Sequence, residues 1–138
     1  MASILAALIL LACGPALAQS SEEVIAAIQL ELFEEFYEQA GETTRRALVS
    51  KGRSNDEARR LAFEIYDNLA YCNASLAQET ALKEQVPVEY VLDLLRRNMC
   101  SLGDWRQRYG FDTRELHNKS EVCAENYSRD FANAFMTQ

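Results

Sequence analysis

Apolar residues recur along most of this chain in alternating steps of three and four, the spacing of a helix that buries one face. Between about residues 21 and 40, Ile25, Ile28, Leu32, Phe33, Phe36 and Ala40 fall on one broad side. From about 55 to 85, Ala58, Ala62, Ile65, Leu69, Cys72 and Leu76 trace a seam for another helix, widened by Leu61 and Tyr66. After Pro87, Val88, Val91, Leu92, Leu95 and Met99 mark a further helix. From about 113 to 136, Leu116, Cys123, Tyr127, Phe131 and Ala134 mark the last. Short helical pieces over residues 44–50 and 104–109 fill the connections. No stretch alternates apolar and polar residues as a half-buried strand would. The pattern predicts an all-α fold, a small bundle of four main helices with short connecting pieces.

Residues at the ends of these segments carry the matching local chemistry. Ser20 with Glu23, Ser54 with Glu57, Asp104 with Gln107 and Asp112 with Glu115 have capping-pair spacing, in which a side-chain oxygen accepts an unused backbone N–H at a helix start. Gly41, Gly52, Gly103 and Gly110 are placed to close helices, and Pro87 cannot continue one. A chain with 49% hydrophobic and 25% charged residues is too apolar to be disordered, and its length suits one domain.

Residues 1–18 differ in kind. They carry no charge, hold an apolar run from Ile4 to Ala12, break at Gly14-Pro15 and end in Ala16-Leu17-Ala18, a small-x-small triplet of the type signal peptidase cuts. The expected organisation is a cleaved export signal over 1–18 followed by a single helical domain over 19–138. The apolar run is shorter than the roughly 20 residues a membrane span needs, so no span is expected in the mature chain. Leu10-Leu11-Ala12-Cys13 offers an alternative reading as a lipobox, which would make the protein an envelope lipoprotein tethered through Cys13 with a structural or assembly role. The absence of Lys or Arg before the apolar run weighs against both bacterial readings. Export to the periplasm or through a secretory route is the shared expectation. Asn73, Asn118 and Asn126 stand in glycosylation triplets, but all fall within predicted helices, where ordinary polar positions explain them better.

Signal removal leaves Cys72, Cys100 and Cys123, enough for one internal bond and a spare thiol. In an antiparallel hairpin about Pro87, Cys72 and Cys100 stand at heights of about 22 and 20 Å, given 1.5 Å per residue. That favours a disulfide between Cys72 and Cys100. Cys100 with Cys123, or buried reduced thiols, are the alternatives. An exposed spare thiol at Cys123 would allow a cross-linked dimer.

The net charge of −7 is concentrated at one end. Glu22, Glu23, Glu31, Glu34, Glu35, Glu38 and Glu42 meet no base before Thr43, whereas later acids and bases balance. Five of these, from Glu31 to Glu42, project within about 100° of one another on an ideal helix. Like charges one turn apart disfavour the helix slightly, so local stability does not explain the stripe. It either folds back on the basic run Arg45, Arg46, Lys51, Arg53, Arg59 and Arg60, or docks a cationic partner through Glu31, Glu34, Glu35 and Glu38. Such a partner would be a basic protein, a polycationic peptide or a divalent ion. Nucleic acid is disfavoured by a pI near 4.8 and by arginines scattered in pairs.

Catalytic chemistry finds little support. His117 is the only histidine, which excludes a multi-histidine metal site within one chain. It stands six residues from Cys123, so on one helix the two point about 120° apart and form no dyad. There is no Gly-rich phosphate loop, no CxxC and no calcium loop. Trp105, among Arg106, Arg108 and Tyr109, reads as a lid over a helix junction before it reads as a recognition patch. No catalytic, cofactor or metal residue is assigned. The expected function is binding by a small exported helical protein, a protein partner being favoured over a small ligand; a hydrolase is the remaining alternative.

Overall fold

The computed structural model describes residues 20–97 and 110–136. The expected signal over 1–18 with Cys13, together with Met99, Cys100, Gly103, Asp104, Trp105 and the helical piece over 104–109, lies outside the described residues. The protein is all-α, and among the described residues there is no strand. Helix α1 (Ser21–Phe36) runs through a π-helical turn (Tyr37–Gly41) into α2 (Glu42–Ser50), followed by α3 (Asn55–Glu84), α4 (Val88–Arg96) and α5 (Arg114–Met136).

Helix starts follow the capping residues. The Ser20 Oγ accepts the Glu23 N–H and the Ser54 Oγ accepts the Glu57 N–H, each at 3.2 Å, opening α1 and α3 where the spacing predicts. Asp112 works differently from its expected pairing with Glu115. Its Oδ1 accepts the Arg114 N–H at 3.0 Å, two residues on, while its carboxylate also holds the Arg114 guanidinium. At Gly52 the backbone takes φ 102° and closes α2. Gln85 closes α3 in the left-handed conformation at φ 56°, just before Pro87.

Gly41 does not end a helix, contrary to expectation. Its backbone keeps the right-handed helical conformation, φ −61° and ψ −47°, so the rod continues, and the Tyr37 ring lies where a β-carbon would stand, 2.5 Å from its nearest ring atoms. That ring stacks on Phe33, with centroids 5.4 Å apart, and meets Tyr66 edge-on at 6.4 Å. Gly41→Ala should therefore displace Tyr37 and cost about 1–2 kcal/mol, even though alanine is the better helix former. Urea unfolding of the variant measures this directly.

Helix α3 is the axis on which the other helices pack. Helix α1 lies antiparallel to it, as the Gln29–Asp67 and Gln78–Ser21 hydrogen bonds at 2.9 and 3.4 Å fix. The predicted seam positions Ala58, Ala62, Ile65 and Leu76 are buried, and Leu69 and Cys72 are partly buried. A second row, Ala70, Ala74, Ala77 and Ala81, is buried in one cluster with Ile28 and Leu32 of α1. On α4, Val91, Leu92 and Leu94 are buried. On α5, Leu116, Cys123 and Ala134 are buried.

The disulfide joins Cys72 to Cys123, not Cys72 to Cys100, with Cα atoms 5.8 Å apart. A hairpin about Pro87 compares levels on two rods only and gives Cys123 no level of its own, whereas the last helix sets one. That helix, α5, lies antiparallel to α3. Lys119 Nζ meets Glu79 Oε1 at 3.2 Å and the Tyr66 and Tyr127 hydroxyls approach to 3.2 Å. Cys123 falls between these contacts, level with Cys72. It is therefore no spare thiol, and the cross-linked dimer expected through it is not available.

Candidate functional site

The glutamates of α1 divide into two rows once the neighbouring helices are in place. Arg96, at the end of α4, reaches Glu35 at 2.8 Å and Glu31 at 3.5 Å. Its guanidinium donates to both Glu35 carboxylate oxygens. Glu34 and Glu38, further out, are exposed and have no ion-pair partner among the described residues. The stripe is thus neutralised along its inner row only. These pairs are partly solvent-exposed, so they contribute orientation more than stability.

The basic run that follows α1 meets the stripe at Glu42, which Arg45, Arg46 and Arg59 surround, while Arg53 and Arg60 are engaged elsewhere. Arg45 pairs with Glu42 at 2.8 Å, and hydrogen bonding to this guanidinium holds the Glu42 carboxyl below its ordinary pKa. Arg53 bonds Glu57 and donates to the Ala134 carbonyl of α5 at 3.0 Å. Arg60 pairs with Glu64 at 3.0 Å. Only Glu42 is answered as the fold-back reading expects. The main counter-charge, Arg96, lies 61 residues from Glu35 and no local pattern announces it.

Beside the outer glutamates lies an apolar ledge. Leu30 is 60% exposed, one turn before Glu34, and Phe63 of α3 is 50% exposed. The Phe63 ring packs on Phe33 with centroids 4.6 Å apart, and Phe33 in turn stacks on Tyr37. Neither Leu30 nor Phe63 stood out in the sequence. The signal was present nonetheless: Ala26, Leu30, Phe33 and Tyr37 repeat in steps of four, three and four.

On the opposite side, a groove of about 620 Å³ runs along the seam of α3 and α5 over the disulfide. Tyr71 and Val122 are among its lining residues, along with Ser75, whose buried Oγ has no hydrogen-bond partner. At its inner edge Tyr127 belongs to a chain of hydroxyls that ties three helices, Thr44 to Tyr66 at 2.7 Å and Tyr66 to Tyr127 at 3.2 Å. Burial, followed by the bond to Tyr66, pushes the Tyr127 pKa up to about 12 from its usual 10. The folded state therefore holds this proton more tightly than the unfolded one. The stability it contributes is complete below about pH 10 and is lost as the pH rises towards about 12. Absorbance titration at about 295 nm should show one tyrosine ionising near pH 12, and a Tyr66→Phe variant should bring it down.

The remaining candidates for chemistry are dispersed. His117 Nε2 lies 3.1 Å from Glu121 Oε1 on the surface of α5, and Cys123 is held in the disulfide. Among the described residues, no three His, Cys, Asp or Glu side chains converge to hold a metal ion. Among the same residues, no helix is long and apolar enough to cross a membrane. No family model, curated protein or solved structure matches this chain.

Proposed function

We propose that this chain is a small exported protein that acts by binding a basic protein or peptide on the outer glutamate edge of α1, without catalysis. The observation that carries the reading is the unequal treatment of the stripe, in which Arg96 answers Glu31 and Glu35 while Glu34 and Glu38 stay solvent-facing and unpaired among the described residues. Carboxylates that need no counter-charge from within the fold are free to offer one to a partner. Export is supported by the signal-like residues 1–18 together with the Cys72–Cys123 bond, since disulfides persist in oxidising compartments. On this reading, protein recovered from its native compartment begins at Gln19.

Replacing Glu34 and Glu38 by Gln tests the binding edge while leaving the Arg96 pairs intact. Binding of a lysine-rich peptide to the double variant should be several-fold weaker, mostly through a slower association rate, and its dependence on salt should flatten. An unchanged affinity and salt slope would remove the edge from consideration. Adding Glu31→Gln and Glu35→Gln should extend the loss, because Arg96 then presents an unanswered positive charge beside the edge.

A further inference from the structure

We infer that the partner is an amphipathic helix, cationic on one side, which lays its apolar stripe along Ala26, Leu30, Phe33 and Tyr37 of α1 and against Phe63 of α3. The inference rests on the acidic-edge reading above and specifies what the edge receives. Helix α1 carries two stripes. Ile28 and Leu32 face the core with Val24, Ile25, Phe33 and Phe36 beside them, so Phe33 lies at the border of the two stripes. The second stripe has the same alternation of fours and threes, which is the spacing of a helix that receives another helix. Phe33 and Tyr37 in this stripe are half-buried against α3, whereas Ala26, Leu30 and Phe63 stay open, the last two 60% and 50% exposed.

Charge selects the occupant. The outer glutamates Glu34 and Glu38 border the ledge on α1, and the segment from Gln19 to Glu42 contains seven acids and no base. A helix seated on the ledge with lysines or arginines along its flank meets those carboxylates as it buries its apolar face. An acidic helix, or a second copy presenting the same glutamates, meets repulsion instead. The ledge is also held in shape. Phe33 is wedged between Phe63 and Tyr37, and Tyr37 is seated on Gly41 in the π-helical turn, so little side-chain ordering is left to be lost on binding.

Two synthetic probes test this on the full disulfide-bonded protein: an about 18-residue leucine–lysine helix with its leucines on one face, and a scrambled peptide of the same composition. Fluorescence anisotropy of labelled peptides gives both affinities. The patterned helix should bind at least about tenfold more tightly, and Leu30→Ser or Phe63→Ser should each abolish most of that advantage without changing the scrambled peptide. Glu34→Gln with Glu38→Gln should weaken both peptides. Equal binding of the two peptides, unaffected by the serine variants, overturns the ledge while leaving the acidic edge standing. Indifference of both peptides to the glutamine variants overturns the edge, and the cationic helix with it. Self-association abolished by Leu30→Ser, or nuclear Overhauser contacts from Trp105 to Leu30 in the free protein, would place a second copy or the chain itself on the ledge and also overturn the inference. Thermal melts confirm that each variant folds. Should Phe63→Ser not fold, the more exposed Leu30→Ser decides alone.

Discussion

Removing the Cys72–Cys123 bond, by reductant or by paired Cys72→Ala and Cys123→Ala substitutions, should lower stability by about 4 kcal/mol and the melting temperature by about 15 °C. The size follows from the separation of 51 residues between the two cysteines, which makes the loop released in the unfolded chain a long one. It follows also from what else attaches α5. The Lys119–Glu79 and Lys83–Glu115 contacts are solvent-exposed, and such pairs contribute little. Leu116, Ala134, Tyr127 and Phe135 pack against the core, and the Tyr66–Tyr127 hydroxyl bond and the Arg53 bond to the Ala134 carbonyl add to them. A loss of 4 kcal/mol is a large share of a small domain's total stability, so at 37 °C the reduced protein should populate states with α5 undocked. Circular dichroism melts with and without reductant measure the difference. A melt indifferent to reductant would mean that the thiols are unpaired in solution, and would take away the structural support for an oxidising compartment.

The sequence could be read where a local contact decides the outcome. Ser20 and Ser54 cap the helices they precede, because the acceptor and its N–H are three residues apart. The seam through Ala58, Ala62, Ile65 and Leu76 is buried as its spacing indicates. Reading fails where a distant residue intervenes or where two local signals compete. Gly41 looks like a stop, but its missing side chain makes room for the Tyr37 ring four residues earlier. Cys72 has two plausible partners by composition, and the choice depends on the level at which α5 returns along α3, which no local pattern states. The glutamate stripe is plain in the sequence, yet its division into a paired inner row and an open outer row depends on Arg96 arriving from another helix. Leu30 was legible only to a search for a second stripe on the same helix.

The alanine row of α3 was the least legible element of the core, and it supports the second large effect. Ala74→Leu should destabilise the fold by roughly 3 kcal/mol, at the upper end for overpacking, and lower the melting temperature by about 10 °C. Ala70, Ala74 and Ala77 are fully buried and Ala81 nearly so, all four in one cluster with Ile28 and Leu32. Alanine is an ambiguous signal in sequence, since it suits exposed helix positions by propensity and buried ones by size. Here size governs, because small side chains along a contact let two helix axes approach closely. The Gln29–Asp67 and Gln78–Ser21 hydrogen bonds bracket Ala70, Ala74 and Ala77 and fix the approach of α1 to α3. A leucine at position 74 adds three carbons where no solvent-exposed space exists. Its cluster is shared with Ile28 and Leu32 of α1 and Val91, Leu92 and Leu94 of α4, so one of these helices must move outward or side chains must leave their favoured rotamers. Outward movement of α1 draws Glu31 and Glu35 from Arg96 and separates Phe33 from Phe63, so peptide binding at the edge and ledge should fall along with stability. Asn68→Leu, on an exposed position of the same helix, should change stability by no more than about 0.5 kcal/mol. Should Ala74→Leu be tolerated as well as Asn68→Leu, α1 does not lie at alanine distance from α3, and the shared surface built from the two helices loses its basis.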